Sequence, residues 1–291
     1  MVSHRRLLPP LTKAKIGCIL PLETGNFDRV VEAAQQCEKL GYDSVWAFDH
    51  LAPYWTIPKN TLECWTVLSA LAERTSRVKI GSMVTNVTLR HPITLARITS
   101  SVDIISNGRL ILGLGTGDSL SRAELTSYGY SFDNLETRVG RLDETVKILK
   151  AAWTGNEFAF KGRYYQISHL ENNLKSIQKP NPPIWLGGKH RKIINIIAES
   201  GDGWNYWNLK KSEAEERINY LRERCLLLHR PFDKIVKSWS GPMHQRTLNK
   251  EKILTTLRSE VNNETRYLVA SFGPRVNSTN YEIFAEAAAQ L

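Results

Sequence analysis

The sequence has few cysteines and no cluster of metal-binding side chains. Only 4 cysteines occur among its 291 residues, namely Cys18, Cys37, Cys64 and Cys225, and no two of them form a C-x-x-C pair. Neither a zinc site nor a disulfide framework is therefore predicted, and we expect four buried thiols. None of the 7 histidines lies four residues from another, and no carboxylate cluster accompanies them. This spacing predicts no bound metal.

Long apolar runs are also missing. No stretch approaches the ~20 apolar residues that a membrane-spanning helix needs. Residues 1–10 carry charge but lack the apolar core of a signal peptide. We therefore expect a cytoplasmic protein with no membrane partner. The chain also has no G-x-S-x-G elbow, which argues against a charge-relay hydrolase.

The charge balance is basic, with a formal net charge of +10, but the lysines and arginines are scattered along the chain. No basic helix and no basic stripe interleaved with aromatic residues occurs, so a nucleic acid partner is not predicted. We expect an acidic small molecule instead. Much of the local excess lies in residues 1–15 and 189–192, and the alternative for both segments is a solvated surface.

A strand-then-helix alternation repeats along the whole chain. Apolar runs predict strands at 15–20, 44–48, 78–85, 110–114, 183–186, 203–207, 234–239 and 267–272. Helical spacing follows each of them, at 27–40, 61–73, 93–105, 135–153, 192–199, 212–228, 250–261 and 280–290. A short hairpin at 158–167, around Lys161-Gly162, interrupts the alternation.

Eight such units predict a closed (β/α)8 TIM barrel, because parallel strands joined by right-handed helical crossovers close at that number. The rival architecture is an open doubly wound sheet. Gly17 stands alone in the first strand, without the G-x-G-x-x-G of a dinucleotide-binding domain. We expect one domain over residues 1–291, with a short insertion around 155–182.

In such a barrel the active groups lie at the C-terminal ends of the strands. The second strand ends in Asp49-His50, and an aspartate beside a histidine can bias the protonation of the imidazole and supply a proton donor or base near neutral pH. The alternative is a helix cap. The third strand ends in residues 83–86, and Arg90 and His91 open the next helix, with a capping turn and a surface helix start as their alternatives.

The fourth and fifth strands end in glycine-rich turns. Glycines within 113–117, before Asp118, let a ring or a phosphate approach the backbone closely. Gly187, Gly188 and Lys189 precede a helix, so peptide N–H groups, a helix dipole and a cation meet at one place. That combination predicts an anion site, with a simple tight turn as the alternative. The aromatic residues at 204, 206 and 207 suit either the core or a stacking surface.

These motifs, taken in order, resemble the luciferase-like flavin and deazaflavin oxidoreductase superfamily, and most of all its branch that uses coenzyme F420. The similarity runs from Ile16 to about Tyr206. It rests on five segments: A-x-x-x-E-K-L-G-Y-D-S-V-W-A-F-D-H (34–50), A-E-R-T-S-R-V-K-I-G (72–81), V-T-N-V-T-L-R-H-P (84–92), S-N-G-R-L-I-L-G-L-G-T-G (106–117) and P-P-I-W-L-G-G (182–188).

The resemblance implies the same bacterial luciferase-like barrel and assigns roles to the strand ends. It places Asp49 and His50 at the deazaflavin ring, with His50 as the proton-handling residue and Asp49 tuning it. It also implies a non-prolyl cis peptide between Met83 and Val84 behind the ring. Thr85 and Asn86, which follow, are expected to contact the ring edge.

Further positions follow from the same resemblance. The side chain and phosphate of the cofactor are expected at Gly115, Thr116 and Gly117 and at Gly187, Gly188 and Lys189. Sugar-phosphate dehydrogenases of the family have a catalytic glutamate after G-T-G, where this chain has Asp118, one methylene shorter. They also have a tryptophan shortly after D-H, where this chain has Pro53, Tyr54 and Trp55. Strand one lacks the carboxylate of the pterin-reducing relatives.

The expected activity is hydride transfer between C5 of coenzyme F420, an 8-hydroxy-5-deazaflavin, and a carbon of a small organic substrate. The alternative is an FMN-dependent monooxygenase that uses oxygen and reduced flavin from a partner reductase. A flavin-binding protein without activity fits less well, because the D-H and G-T-G-D strand ends are intact. The resemblance also implies a homodimer.

Overall fold

The computed structural model describes residues 13–52, 60–171, 174–243, 249–262, 264–274 and 277–291, and all their side chains except that of Leu120. The strands in these ranges are β1 Lys15–Ile19, β2 Ser44–Ala47, β3 Lys79–Ser82, β4 Thr85–Asn86, β5 Leu110–Gly115, β6 Phe158–Lys161, β7 Gln166–Leu170, β8 Ile184–Gly187, β9 Gly203–Trp207, β10 Val236–Pro242 and β11 Thr265–Ser271.

Helices alternate with these strands. They are α1 Phe27–Lys39, α2 Cys64–Arg74, α3 Pro92–Ile105, α4 Arg122–Ser127, α5 Leu135–Thr154, α6 Arg191–Ser200, α7 Lys211–Leu227, α8 Lys250–Glu260 and α9 Ser278–Ala288. None of the helices in the described part of the chain combines the length and apolarity that crossing a membrane requires.

The strands close into a parallel barrel. Hydrogen bonds join them in the order β3-β2-β1-β11-β10-β9-β8-β5, and a further pairing of β3 with β5 closes the ring. The third position of the barrel is shared by β3 and β4, which both pair with β5. The predicted (β/α)8 barrel is therefore confirmed.

Burial on both faces explains why the strands read as continuous apolar runs. Every residue of β2 and of β5 is buried. Inside the barrel, the ring of Trp185 lies 5.1 Å from that of Trp46 and 5.0 Å from that of Tyr267, measured between centroids. These rings and their neighbours form a cluster separate from the larger core under the helices. The barrel is thus filled below the level of the strand ends.

The third strand differs from its prediction. It was expected to run unbroken over 78–85, but β3 stops at Ser82 and β4 begins at Thr85. The peptide bond between Met83 and Val84 is cis, as the resemblance implied. The interruption lies at the C-terminal end of the barrel, where the strand ends carry the candidate site.

Smaller differences concern element ends. Helix α2 starts at Cys64 rather than at residue 61, because the side chain of Glu63 caps it by accepting the N–H of Thr66 at 2.6 Å. The short helix α4, between β5 and α5, was not predicted. The predicted hairpin is present as β6 and β7, an antiparallel pair outside the barrel. All four cysteines are buried and unbridged, as expected.

Candidate functional site

A cavity of about 620 Å³ opens at the C-terminal ends of the barrel strands, and all eight strand positions contribute to its wall. It contains nearly every residue that the sequence singled out. The predicted residues in its lining are Asp49, His50, Met83, Val84, Asn86, Gly115, Thr116, Gly117, Asp118, Gly187, Gly188 and Lys189.

Thr85 is the exception. Its side chain is fully buried and does not reach the cavity, although contact with a ring edge was expected. Successive residues of a strand point to opposite faces, so Asn86 facing the cavity turns Thr85 into the protein. The expected role of the Thr85 side chain is corrected accordingly.

The partner of His50 is a carboxylate that the sequence did not single out. Nδ1 of His50 lies 2.7 Å from Oε2 of Glu124 in α4. The other oxygen of Glu124 accepts the N–H of Leu51 and, at 3.1 Å, that of Ala52. Burial raises the pKa of Glu124, but His50 and the two peptide N–H groups outweigh that effect and lower it below its usual value. Glu124 is therefore an anion that fixes both the imidazole and the chain that follows it.

Asp49 has a different partner from the one expected. Its Oδ2 and Oδ1 accept from Nη1 and Nη2 of Arg90 at 2.6 and 3.0 Å, and Oδ2 also accepts the N–H of Asn86 at 3.0 Å. Asp49 is thus bonded to Arg90, whereas His50 is bonded to Glu124, and the expected tuning of His50 by Asp49 stays a prediction. Burial raises the pKa of Asp49, and the Arg90 guanidinium opposes that rise.

Arg90 is part of the site rather than a surface helix start. Its side chain is 14% exposed, and its Nη2 donates to Oε1 of Glu63 at 2.5 Å as well as to Asp49. Burial acts to lower the pKa of Arg90, but the two carboxylates raise it above its ordinary value. The ion pairs join the end of β2, the start of α2 and the chain after β4. His91 behaves as expected and caps α3, accepting the N–H of Ile93 at 3.3 Å.

Three glycines form a socket for one side chain. A Cβ on Gly115 would lie 2.4 Å from Cγ2 of Val84, and one on Gly187 would lie 2.9 Å from its Cγ1. A Cβ on Gly113 would lie 3.2 Å from the same Cγ1. Real Cβ atoms essentially never come as close as the values for Gly115 and Gly187, so these two positions must remain glycine for Val84 to sit between β5 and β8. At Gly113 the contact with Val84 is only tight, and the atom that a Cβ would meet first is the carbonyl oxygen of Ser82. The close approach of Val84 is therefore one reason for glycine at positions 115 and 187, in addition to the space that a ligand would need.

Asp118 caps the turn that follows β5. Its Oδ1 accepts the N–H and the hydroxyl of Ser121, both at 2.8 Å. It is exposed at the cavity wall, whereas the carboxylate on His50 belongs to Glu124, six residues further along. Asp118 thus caps this turn and also lines the cavity, and its expected catalytic role stays a prediction. The 3-10 turn Ser119–Ser121 and helix α4 place Glu124 next to His50. The sequence spacing of the two residues did not predict this contact.

A second missed carboxylate lies beyond β1. Glu23 is only 7% exposed, it lines the cavity, and its Oε2 has no hydrogen-bond partner in the described structure. Burial raises its pKa from 4.5 to about 7. It lies three residues past the predicted strand end, in the 3-10 turn Leu22–Thr24, which is why a search of the strand itself did not find it.

At the end of β8, where an anion site is predicted, the glycine turn is present but the lysine is paired with an acid. Gly188 has a φ of +132°, and its carbonyl accepts the Nε1–H of Trp204 at 2.7 Å. Nζ of Lys189 lies 3.4 Å from Oε1 of Glu213, so its charge is shared with an acid. Trp204 and Tyr206 belong to the core, while Trp207 is 50% exposed and lies in the cavity wall.

Some expectations fall on other parts of the chain. Pro53, Tyr54 and Trp55, and most of the basic segment 1–15, lie outside the described residues. Among those that are described, no group of three histidine, cysteine, aspartate or glutamate side chains has the arrangement of a metal site.

Comparison with known proteins gives a family and a fold. The family model for luciferase-like monooxygenase matches residues 11–241. The chain is 32% identical over 190 residues to the F420-dependent hydroxymycolic acid dehydrogenase of Mycobacterium tuberculosis, an alignment that covers 65% of this chain and 51% of that protein. It is also 32% identical over 191 residues to the F420-dependent glucose-6-phosphate dehydrogenase of Amycolatopsis mediterranei, covering 65% and 56%.

The matched segment thus spans about half the length of these relatives. Among solved structures, an F420-dependent secondary alcohol dehydrogenase in complex with an F420-acetone adduct superimposes with a TM-score of 0.85 at 18% identity, covering 96% of this chain and 99% of that one. At that identity the likeness concerns the fold.

The glycine socket predicts a coupled effect on stability. Gly115→Ala should cost about 1–3 kcal/mol of unfolding free energy, because the new methyl group overlaps Val84. In a Val84→Ala background the same substitution should cost much less, since the overlapping methyl groups are gone. Urea unfolding of the wild type, both single variants and the double variant measures this coupling. Additive single effects would contradict the socket.

Burial of Glu23 predicts a pH-dependent stability. Because its folded pKa is raised from 4.5 to about 7, folding binds a proton in this window, and its contribution to stability falls as pH rises through it. At about 1.4 kcal/mol for each pKa unit, Glu23→Gln should gain roughly 3 kcal/mol relative to the wild type between pH 4.5 and pH 8. Thermal unfolding over this range measures the gain. The exposed Glu32→Gln serves as control, and a pH-independent difference for Glu23→Gln would refute the interpretation.

Proposed function

Because the chain belongs to the luciferase-like monooxygenase family, we propose that it is an F420-dependent oxidoreductase acting on a small organic substrate. The observation that carries this proposal is the pair formed by His50 and the buried Glu124 in the wall of the strand-end cavity. The F420-dependent relatives and the fold neighbour support the choice of cofactor.

The lining of the cavity suits a planar ring and its polar tail. Val84, held in its glycine socket, supplies an apolar wall, and Asn86 supplies a polar group beside it. The turns at 115–117 and 187–189 line the cavity and would hold the tail, with Lys189 supplying a positive charge there. A volume of about 620 Å³ lies in the range of small-molecule and cofactor sites. When bound, the deazaflavin accepts or supplies a hydride at C5.

The residues of this chain supply proton handling and orientation. With Nδ1 of His50 bonded to the Glu124 anion, the proton exchanged with the substrate is carried at Nε2. Glu124 fixes the ring orientation, and its charge stabilises the imidazole when it holds the second proton. Arg90 and Asp49 fix the strand end from which His50 projects.

Glu23 is the second polar group of the cavity with a role to assign. Since its pKa is about 7, a large share of its carboxyl groups is protonated near neutral pH. A protonated carboxyl in a partly apolar wall donates a hydrogen bond to a substrate oxygen without the cost of burying a charge. It would bind a hydroxyl or carbonyl oxygen next to the reacting carbon.

The proposed reaction needs neither a metal nor a nucleic acid. The homodimer, the single domain over 1–291 with an insertion around 155–182, and the cytoplasmic location stay predictions. A partner reductase belongs only to the alternative, in which FMN is the cofactor.

Cofactor titration tests the proposal directly. Oxidised F420 should quench protein fluorescence in a saturable way with a micromolar or lower Kd, while FMN should bind at least about tenfold more weakly, a difference of 1.4 kcal/mol. The socket variant Gly115→Ala should weaken F420 binding, and Val84→Ala in the same chain should restore part of it. Preference for FMN would overturn the F420 assignment and favour a monooxygenase with a partner reductase.

His50 and Glu124 should affect turnover rather than cofactor affinity. His50→Ala is expected to lower kcat by about 100-fold or more, in the range of lost acid-base catalysis, while the Kd for F420 stays within about threefold. Glu124→Gln, which keeps an oxygen for the two peptide N–H groups, should lower kcat by a smaller factor. Rates are measured by F420 absorbance on the best substrate of a panel of alcohols, ketones and sugar phosphates.

The matched control is His91→Ala, because His91 caps α3 and does not line the cavity. It should leave kcat unchanged. An unchanged rate in His50→Ala would remove His50 from the mechanism.

A further inference from the structure

Arg138 is a buried cation without an acidic partner in the described structure. It lies in the first turns of α5 and is only 6% exposed. No carboxylate of a described residue comes within ion-pair distance of it, in contrast to Arg90 and Arg141. Its guanidinium stacks on the ring of Phe132 at 4.4 Å. Burial lowers the pKa of Arg138 from its ordinary value, and the charges of Asp118 and Asp133 oppose that effect.

The donors of this guanidinium point at backbone carbonyls. Nη1 donates to the carbonyl of Thr116 at 2.9 Å and also to that of Gly117, while Nε donates to the carbonyl of Asp133 at 3.1 Å. Two of these three carbonyls belong to consecutive peptides of the turn that ends β5. Arg138 therefore holds this turn from behind.

Peptide geometry then fixes where the N–H groups point. In a trans peptide the C=O and N–H groups point in opposite directions, and both peptides of this turn are trans. With their carbonyls held by Arg138, the N–H groups of Gly117 and Asp118 face away from it. No hydrogen bond from either N–H to a described residue is present, and both residues line the cavity.

The turn has the character of an anion-binding nest. Gly117 has a φ of +68°, the left-handed conformation that brings successive N–H groups to one side. The two N–H groups form the front of the turn, and the Arg138 guanidinium lies behind it. The carboxylates of Asp118 and Asp133 are near enough to act on its charge, although neither forms an ion pair with it. Peptide dipoles aligned by a charge in this way favour an anion at their N–H ends.

We propose that Arg138 is a positioning residue that aims the N–H groups of Gly117 and Asp118 into the cavity, where they bind the phosphate of the cofactor. The identity of the ligand rests on the proposed function, whereas the arrangement of the turn does not. The side chain acts through the two peptides and does not touch the ligand.

Two ligands that differ only in their anionic part show whether Arg138 affects binding of the phosphate or binding of the deazaflavin as a whole. They are F420 and its ribitol-deazaflavin chromophore without the phosphate and tail. Arg138→Gln should weaken F420 binding by about tenfold or more, as expected for loss of a charge-assisted arrangement, and change chromophore binding by less than about threefold. Arg138→Lys, which keeps the charge but lacks the planar guanidinium that reaches the Thr116, Gly117 and Asp133 carbonyls together, should give an intermediate loss.

Arg141→Gln is the matched control. Arg141 lies on the same helix, and its Nε bonds Oδ2 of Asp133 at 3.2 Å, but it makes no contact with the 116–118 turn that is described. It should change neither affinity. Equal losses for both ligands in Arg138→Gln, or no loss of F420 affinity, would overturn the inference. If Arg138→Gln does not fold, Arg138→Lys decides by the same comparison.

Failure of the proposed function has a separate signature. If neither deazaflavin binds the wild type, the F420 assignment fails, and the turn is then tested with inorganic phosphate by NMR of the ¹⁵N-labelled protein. Selective shifts of the Gly117 and Asp118 amide signals in the wild type, lost in Arg138→Gln and kept in Arg141→Gln, support the inference. Absence of these shifts in the wild type overturns it.

Discussion

The pairing of β3 with β5 is the interaction on which the rest of the site depends, because it closes the sheet into a ring. Closure brings the C-terminal ends of all strands to one rim, so residues far apart in sequence share a cavity. His50 and Glu124 meet at 2.7 Å although they are 74 residues apart. Without the ring, their side chains would belong to separate surfaces.

Two buried ionic groups then set the positions of the polar side chains on that rim. Asp49 is held by Arg90, which also reaches Glu63, and His50 is held by Glu124. Buried charges are costly unless they are paired, so each pair specifies one arrangement of its neighbours rather than adding much net stability. Arg138 and Glu23 lie outside this pattern, since neither has a described ion-pair partner, and a ligand is the partner that we propose for the structures they support.

Periodicity was enough to predict the barrel and most positions of the cavity, because a strand followed by a helix leaves a clear pattern and strand ends follow from it. The socket of Val84, the partners of Asp49 and the return of Glu124 to His50 did not follow. They depend on three-dimensional contacts between residues whose sequence spacing carries no signal. The glycines are an example. The sequence indicated a ligand at Gly115 and Gly187, but it did not show that Val84 also packs against both of them.

The three bonds of Glu124 tie two parts of the site to one side chain. One carboxylate fixes the imidazole and, through Leu51 and Ala52, the path of the main chain that leaves β2. Any replacement of Glu124 therefore alters the support of the imidazole and that of the loop at the same time. Glu23 contrasts with this arrangement, because its Oε2 lines the cavity without a hydrogen bond to any described residue. Its replacement therefore tests one polar group of the cavity by itself, which no replacement of Glu124 can do.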